Sequence, residues 1–185
     1  GYIQTTPIQL CLMTAQIANG GYKIQPKILT DDNELTSEQV KKAMLDSKIN
    51  DSYEPLYDDQ KNIRIVQEAM FSSTNELRGT SYKSRIDDPK YQFAGKTGTA
   101  QVKRISKRER ELDLKTFQIP YEERDHALYV AFGPYTHPRY ALSIIVEHGG
   151  SGSAAAAPMA TQLFKLIVDR HQYRKKLPDY KEFNI

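Results

Sequence analysis

Residues 127–132 (ALYVAF) and residues 140–146 (YALSIIV) are two apolar runs, separated by a short segment that contains Gly133, Pro134 and Pro138. Runs of this length, rich in β-branched and aromatic residues and bounded by turn residues, are typical of buried strands. Their short spacing predicts an antiparallel hairpin. This hairpin decides the fold class, because the other elements have to pack around it.

Outward from the hairpin, one more strand candidate and several helical patterns complete the domain. Residues 93–102 (FAGKTGTAQV) form a small-residue segment with strand character at its end. Helices come first along the chain, followed by three strands and a closing helix. This order predicts an α/β domain of the α+β kind, an antiparallel sheet flanked by helices on both faces, rather than a parallel βαβ sheet.

The first helix is predicted to begin at Pro7, with Thr5 or Thr6 as its cap, and to end at the Gly20-Gly21 pair. It is apolar on nearly every side, and Cys11 within it is expected to be a small core residue. We therefore expect this helix to lie inside a core. If it were exposed, it would favour instability or a homodimer.

Other elements follow from periodicity and turn residues. They are a short strand at residues 22–25 stopped by Pro26, a short helix near residues 38–44, a helix at residues 62–77 with Ile63, Val66, Met70 and Leu77 on one face, and a closing helix with Met159, Leu163, Leu166 and Ile167 on one face. Ser73-Thr74-Asn75 would be a frayed helix end. Ser153 would cap the closing helix after a flexible glycine-rich turn.

Composition excludes several classes of protein. A hydrophobic fraction of 39% with 26% charged residues is enough for a folded core, and no apolar run reaches the ~18 residues of a membrane span. The net charge of +3 is too small for a nucleic-acid footprint. One cysteine and four separated histidines predict neither an internal disulfide nor a metal site.

Lys96-Thr97-Gly98-Thr99 is the string with most chemical content. Thr97 and Thr99 are two positions apart, so they share one face of a strand, whereas Lys96 faces the other way unless the strand is twisted or bulged. Two hydroxyls in the field of a cation could hold a ligand carboxylate. Taken alone, the string favours the simpler interpretation, a glycine-softened strand that carries one exposed lysine.

Lys-Thr-Gly is also one of three boxes of penicillin-binding proteins and class A β-lactamases, beside Ser-x-x-Lys and Ser-Asp-Asn. Longer strings resemble, in the same order, the penicillin-binding protein 2 family, the class B, elongation-type peptidoglycan D,D-transpeptidases. These strings are residues 1–10, 93–102, 124–135 and 140–152 followed by an alanine run. The resemblance is weakest in residues 30–62 and after His171.

The resemblance implies a serine acyl-transfer enzyme of the penicillin-binding/β-lactamase-like fold, without a cofactor or a metal. Its substrate would be a peptidoglycan stem peptide ending in D-Ala-D-Ala, and β-lactams would inhibit it. Lys96 would place its charge near the second-box serine and the substrate carboxylate. Thr97, Gly98 and Thr99 would bind substrate, and the backbone N–H of Thr99 would be one oxyanion-hole donor.

The other two boxes are not found at their expected places. No serine has a lysine three positions later, and the one Ser-x-Asn string, at residues 73–75, follows residues 1–10 instead of preceding them. We therefore expect the nucleophile and the true second box to precede Gly1. Residues 1–185 would then be the C-terminal portion of a single transpeptidase domain, with a polar tail from about residue 172, and inactive alone.

The resemblance also implies a setting. The parent protein would work at the periplasmic face of the bacterial inner membrane, anchored by a helix upstream of Gly1, with membrane proteins of the elongation complex as partners. The opening of the chain, without an initiating Met or a basic leader, agrees with targeting information lying upstream.

Two other classes remain open at this stage. One is a β-lactam sensor or a β-lactamase relative that shares the third box. The other is a non-enzymatic module in which the basic segment 103–110 (KRISKRER) binds an anion or a partner. A solvated loop is the simpler interpretation of that segment. Asp125 is expected to fix a loop–strand junction, and His126 and His148 are expected to be structural.

Overall fold

The computed structural model describes residues 3–26, 55–103, 111 and 114–174. The helix expected near residues 38–44, most of the basic segment 103–110 and the end of the polar tail lie outside the described residues. In the part that is described, no helix is long and apolar enough to cross a lipid bilayer.

Three strands form an antiparallel sheet in the order β1-β2-β3. They are β1 (Ala94–Ala100), β2 (His126–Gly133) and β3 (Tyr140–Val146). The predicted hairpin is confirmed as β2 and β3, with Leu128 opposite Ile145. Strand β1 contains the whole Lys-Thr-Gly string, whereas strand character was expected at the far end of residues 93–102. Among the described strands, β1 lies at the sheet edge.

In the described ranges, three helices flank this sheet: α1 (Pro7–Ala18), α2 (Gln60–Asn75) and α3 (Ala157–Arg174). Helix α3 is preceded by a π-helical turn, Gly152–Ala156. The predicted start of α1 is confirmed. The side chain of Thr6 accepts a hydrogen bond from the Gln9 backbone N–H, and the Gln9 side chain accepts one from the Thr6 N–H.

Each face of the sheet carries its own core, so the prediction of helices on both faces is confirmed. On one face, α3 and the π-helical turn pack on Phe93 and Tyr129, and Phe164 stacks on Phe93 at 4.8 Å between ring centroids. On the other face, α1 and α2 pack around Met70 and Phe132.

The expected placement of α1 inside a core was wrong for the described structure. Thr14 is the one buried residue of this helix, while Ile8 is 62% exposed and Met13 is 40% exposed. The described neighbours of α1 are β2, β3 and α2, and they leave much of its surface exposed. Cys11 is half-buried and donates its thiol to the Ala141 carbonyl at 3.4 Å.

The expected face of α3 was also wrong. This helix buries the small residues Ala157 and Ala160 together with Phe164 and Val168, whereas Met159, Leu163 and Leu166 are exposed. Two apolar stripes compete on α3, and the alanine stripe allows the helix axis to approach the sheet closely. Close packing therefore favours burial of the alanine stripe, which apolar periodicity alone did not predict.

Smaller corrections concern element ends. Residues 22–25 form a single bridge from Tyr22 to Pro55 instead of a strand. Helix α2 ends at Asn75, so Leu77 lies beyond it and is 80% exposed. Ser151, not Ser153, occupies the N-cap position of the π-helical turn, and the two serine hydroxyls lie 3.0 Å apart.

Candidate active site

The Lys-Thr-Gly strand presents one edge of its backbone away from the sheet. The Phe93 and Gly95 carbonyls accept hydrogen bonds from the side chains of Asn75 (2.9 Å) and Thr74 (3.4 Å), so both carbonyls point away from β2. Backbone groups alternate in direction along an antiparallel strand. The N–H and C=O groups of Thr97 and Thr99 therefore also point outward from the edge of β1.

Lys96 brings a positive charge to this edge. Its side chain is exposed, and its ammonium donates to the carbonyl (3.0 Å) and the hydroxyl (3.3 Å) of Thr97. The alternation of strand side chains predicts that Lys96 and Thr97 start on opposite faces. The long lysine stem crosses the strand edge and places both polar groups together. In the described part of the chain, no carboxylate lies within ion-pair distance of Lys96.

Thr97 is half-buried and Thr99 is exposed, so neither hydroxyl is lost in a packed interior. The Thr97 hydroxyl lies 3.3 Å from that of Thr80, which lies 3.1 Å from the hydroxyl of Ser73. Thr80 and Ser73 were not anticipated from the sequence. Serine and threonine are frequent around residues 72–81, but no local rule connects them to Lys96.

The interpretation of Ser73-Thr74-Asn75 as a frayed end was wrong. These residues form the last turn of α2, and each is linked to β1 or to Phe93 just before it. Thr74 is fully buried and bonds to the Gly95 carbonyl, Asn75 bonds to the Phe93 carbonyl, and Ser73 reaches Thr97 through Thr80. Tertiary contacts thus order a helix end whose polar side chains would otherwise compete with the helix backbone.

A buried hydroxyl network stabilises this junction. Tyr129 of β2 is fully buried, donates to the Ser81 hydroxyl at 3.0 Å and lies 3.0 Å from the Thr74 hydroxyl. Burial raises the pKa of the Tyr129 phenol, so the group is a neutral donor at physiological pH. A buried polar network with its partners satisfied favours one defined arrangement of the elements that it joins.

The π-helical turn before α3 lies against the middle of β1. A Cβ atom on Gly152 would be 2.5 Å from the Leu128 carbonyl oxygen and 2.7 Å from that of Gly98. Both neighbours are backbone atoms, which cannot move aside as a side chain can. Glycine at this position therefore allows the turn to contact β1 directly, next to the Lys-Thr-Gly string.

The described residues among the other sequence candidates make local hydrogen bonds or an ion pair. Asp125 accepts a hydrogen bond from the Val102 N–H at 3.2 Å, which confirms its place at a loop–strand junction. The Nδ1 atom of His126 accepts from the His148 backbone N–H at 2.9 Å, and His148 itself adopts a positive φ of 54°. Lys103, the first residue of the basic segment, pairs with Glu123 at 2.6 Å.

A pocket of about 470 Å³ lies elsewhere in the molecule, between the end of α1 and the start of α2. Ile17, Leu56, Ile63 and Val66 supply its apolar lining, and Asp58 lies at its rim. It contains none of the Lys-Thr-Gly residues. Among the described residues, the candidate site is a strand edge on which Lys96 and Thr99 are exposed.

The chemistry of this edge suits an extended ligand with a terminal carboxylate. Outward backbone groups can bond a peptide along the strand, and a hydroxyl beside an ammonium can hold an anion. In the described residues, no serine hydroxyl is hydrogen-bonded to a lysine or histidine nitrogen. Within the described residues, the site therefore combines a cation, hydroxyls and outward backbone groups, with no serine hydroxyl activated by a neighbouring base.

An antiparallel sheet covered by helices, with Lys-Thr-Gly on its edge strand, is the arrangement expected of penicillin-binding and β-lactamase-type domains. Residues 1–165 match the family described as the penicillin binding protein transpeptidase domain. The chain belongs to this family, and the resemblance and the fold class predicted from the sequence are confirmed.

Within this family, the chain is similar to proteins named peptidoglycan D,D-transpeptidase MrdA. The chain is 36% identical over 171 residues to peptidoglycan D,D-transpeptidase MrdA of Acinetobacter baumannii, covering 91% of this chain and 22% of that protein. It is 32% identical over 170 residues to MrdA of Salmonella typhimurium, covering 91% of this chain and 26% of that protein. The chain thus spans about a quarter of the length of these relatives.

Solved structures show the same architecture. Pseudomonas aeruginosa PBP2 in complex with WCK 5153 is 31% identical, with a TM-score of 0.61 over 90% of this chain and 31% of that one. PBP2 of Helicobacter pylori, in a complex with MreC, is 26% identical, with a TM-score of 0.60 over 95% of this chain and 26% of that one.

Proposed function

We propose that this chain supplies the Lys-Thr-Gly wall of a peptidoglycan D,D-transpeptidase. One observation carries the proposal. The Lys96 ammonium donates a hydrogen bond to the Thr97 hydroxyl at an open strand edge, in a chain of the penicillin-binding transpeptidase family. This combination provides a cation, a hydroxyl and outward backbone donors within one short string. A β-lactamase relative is not favoured, because the curated relatives are named transpeptidases.

The substrate is a stem peptide ending in D-Ala-D-Ala, which lies extended along β1. Its carboxylate is bound by the hydroxyls of Thr97 and Thr99 in the field of Lys96. The outward N–H of Thr99 donates to the oxyanion that forms on the penultimate carbonyl. The exposed edge of the strand supports these proposed roles, and the same groups receive the carboxylate and the carbonyl of a β-lactam.

The reaction is a two-step acyl transfer. A serine hydroxyl attacks the penultimate D-Ala carbonyl, its proton passes to a base, and the terminal D-Ala leaves with a proton on its amine. An amine of a neighbouring stem peptide then attacks the ester and releases the serine. The wall formed by β1 orients the acyl group in both steps and stabilises the negative charge on its carbonyl oxygen.

The serine is proposed to come from a different part of a longer protein, because residues 1–185 contain no Ser-x-x-Lys string. On this proposal the chain is the C-terminal portion of one transpeptidase domain. The longer protein is anchored in the bacterial inner membrane and acts in the periplasm. A partner of the MreC kind is proposed by similarity to the Helicobacter pylori complex.

Penicillin labelling tests the proposal. In the longer protein, Lys96→Ala should lower the rate of covalent labelling by a fluorescent penicillin by on the order of a hundredfold, because the charge that holds the carboxylate is lost. Lys165→Ala, which removes an exposed lysine on α3, should leave the rate unchanged. Residues 1–185 alone should not be labelled. Equal labelling of both variants, or stoichiometric labelling of residues 1–185, would overturn the proposal.

A further inference from the structure

We propose that Thr80, oriented by Ser73, is a positioning residue that makes the Thr97 hydroxyl a donor to the substrate carboxylate. The inference rests on the proposed function and concerns the same site. Its basis is a continuous chain of polar atoms from Ser73 through Thr80 to Thr97 and Lys96, with separations of 3.1, 3.3 and 3.3 Å.

A hydroxyl has one proton to donate and two lone pairs that accept. Lys96 carries only donors, so its ammonium occupies one lone pair of the Thr97 oxygen. The remaining bond at Thr97 is the one to Thr80. Its direction decides whether the Thr97 proton is available to a ligand.

A bound carboxylate sets this direction, because an ionised carboxylate can only accept. When Thr97 donates its proton to the ligand, the bond between Thr80 and Thr97 persists only if Thr80 donates. Thr80 then has no proton left, so its bond to Ser73 persists only if Ser73 donates. All three hydroxyls therefore point in one direction, from Ser73 toward the ligand. Both lone pairs of the Thr97 oxygen then accept hydrogen bonds, and the ligand carboxylate is the acceptor that remains for its proton.

Backbone contacts hold Thr80 in the position that this chain requires. The Ser81 N–H donates to the Ser73 carbonyl at 3.0 Å, and the Ser81 hydroxyl donates to the same oxygen at 3.0 Å. A Cβ atom on Gly79 would lie 2.3 Å from that oxygen, so only glycine permits this close approach. The turn that carries Thr80 is thus fixed on the last turn of α2, next to the Lys-Thr-Gly strand.

Lys96 can exchange its protein hydrogen-bond partners for others, whereas Thr97 cannot. The exposed ammonium can bind water or the ligand directly, whereas the half-buried Thr97 hydroxyl depends on its two protein partners for its orientation. Loss of Thr80 should therefore affect recognition of the carboxylate specifically. It should leave the attack of the serine on a substrate without that charge nearly unaltered.

The experiment compares a labelled penicillin with its methyl ester, which lacks the negative charge, in the longer protein proposed above. The second-order rate of covalent labelling is measured for both, and their ratio reports carboxylate recognition. Thr80→Val keeps the shape of the side chain and removes the hydroxyl. It should lower the carboxylate-to-ester ratio by about threefold to tenfold, the range expected for one lost hydrogen bond.

Two further variants separate orientation from packing. Thr80→Ser restores the hydroxyl and should restore the ratio, while Ser73→Ala should lower it by less than Thr80→Val because Ser73 acts through Thr80. If Thr80→Val unfolds, Thr80→Ala and Thr80→Ser give the same comparison, with thermal melting as the check on folding.

The outcomes distinguish the inference from the function on which it rests. A wild-type protein that penicillin fails to label overturns the proposed function, and the inference with it. A wild-type protein that is labelled, with the same carboxylate-to-ester ratio in Thr80→Val, overturns the inference alone. A ratio that falls equally in Thr80→Val and Thr80→Ser also overturns it, since the hydroxyl would then have no role.

Discussion

The phenol oxygen of Tyr129 lies 3.0 Å from the hydroxyl of Thr74, and both side chains are fully buried. Tyr129 belongs to β2 and Thr74 to the last turn of α2, so this contact joins the centre of the sheet to the helix that borders its edge. Strand β1 lies between these two elements in the architecture. This interior polar contact therefore helps to hold β1, and with it the Lys-Thr-Gly string, between the centre of the sheet and α2.

Removing the phenol oxygen tests this dependence. Tyr129→Phe keeps the ring and its edge contact with Phe93, but it deprives Thr74 and Ser81 of one partner. We expect the free energy of unfolding to fall by about 1–2 kcal/mol, the usual cost of such a loss in the interior. Urea denaturation measures the change. Tyr57→Phe, at a 43% exposed tyrosine, is the matched control and should change stability by less than about 0.5 kcal/mol.

The oxyanion role of Thr99 can be tested through its backbone. The N–H of Thr99 points outward from an edge strand, where proline is tolerated because no ladder hydrogen bond is lost. Thr99→Pro removes that donor and should lower the penicillin labelling rate of the longer protein by about a hundredfold to a thousandfold. Thr99→Ala keeps the N–H and should lower the rate by about tenfold or less. Similar losses in the two variants would argue against an oxyanion donor at this position.

The contact between Asp169 of α3 and Lys90 predicts a dependence of stability on pH. The Asp169 carboxylate accepts hydrogen bonds from Tyr91 (2.6 Å) and Lys90 (2.9 Å). These two hydrogen bonds lower the pKa of Asp169 below its ordinary value, and the bond from Tyr91 has the larger effect. A carboxylate whose pKa is lower in the folded state stabilises the fold above the pKa of the unfolded state, about 3.9. The contribution is lost as the pH falls through the folded value.

Thermal melting between pH 7 and pH 3 measures this effect. Asp169→Asn should melt at a lower temperature than the wild type at pH 7, and the difference should shrink as the pH approaches 3. Asp58→Asn removes an exposed carboxylate that forms no hydrogen bond in the described part of the chain, and it should follow the wild type throughout. A constant difference for Asp169→Asn across this range would show that the carboxylate charge is not involved.

Much of the secondary structure could be predicted from local patterns. The cap at Thr6, the helix start at Pro7 and the two apolar strands follow from hydrogen bonds and periodicities that span a few residues. The Lys-Thr-Gly string could also be identified from the sequence, because a motif of this kind is defined by residue identity and order. The prediction for α3 failed because this helix has two possible apolar faces. The prediction for Ser73-Thr74-Asn75 failed because the hydrogen-bond partners of these polar residues are distant in the sequence.

The hairpin and the Lys-Thr-Gly residues of β1 could be predicted from short stretches of chain, and the family from several such strings in a fixed order along most of the sequence. Tertiary structure alone decided that Thr80, 17 positions before Thr97, lies beside its hydroxyl, and that the alanine stripe of α3 faces the sheet. The reason is physical: a hydroxyl gains its bonding direction, and a helix its buried side, only from the groups that folding brings against it.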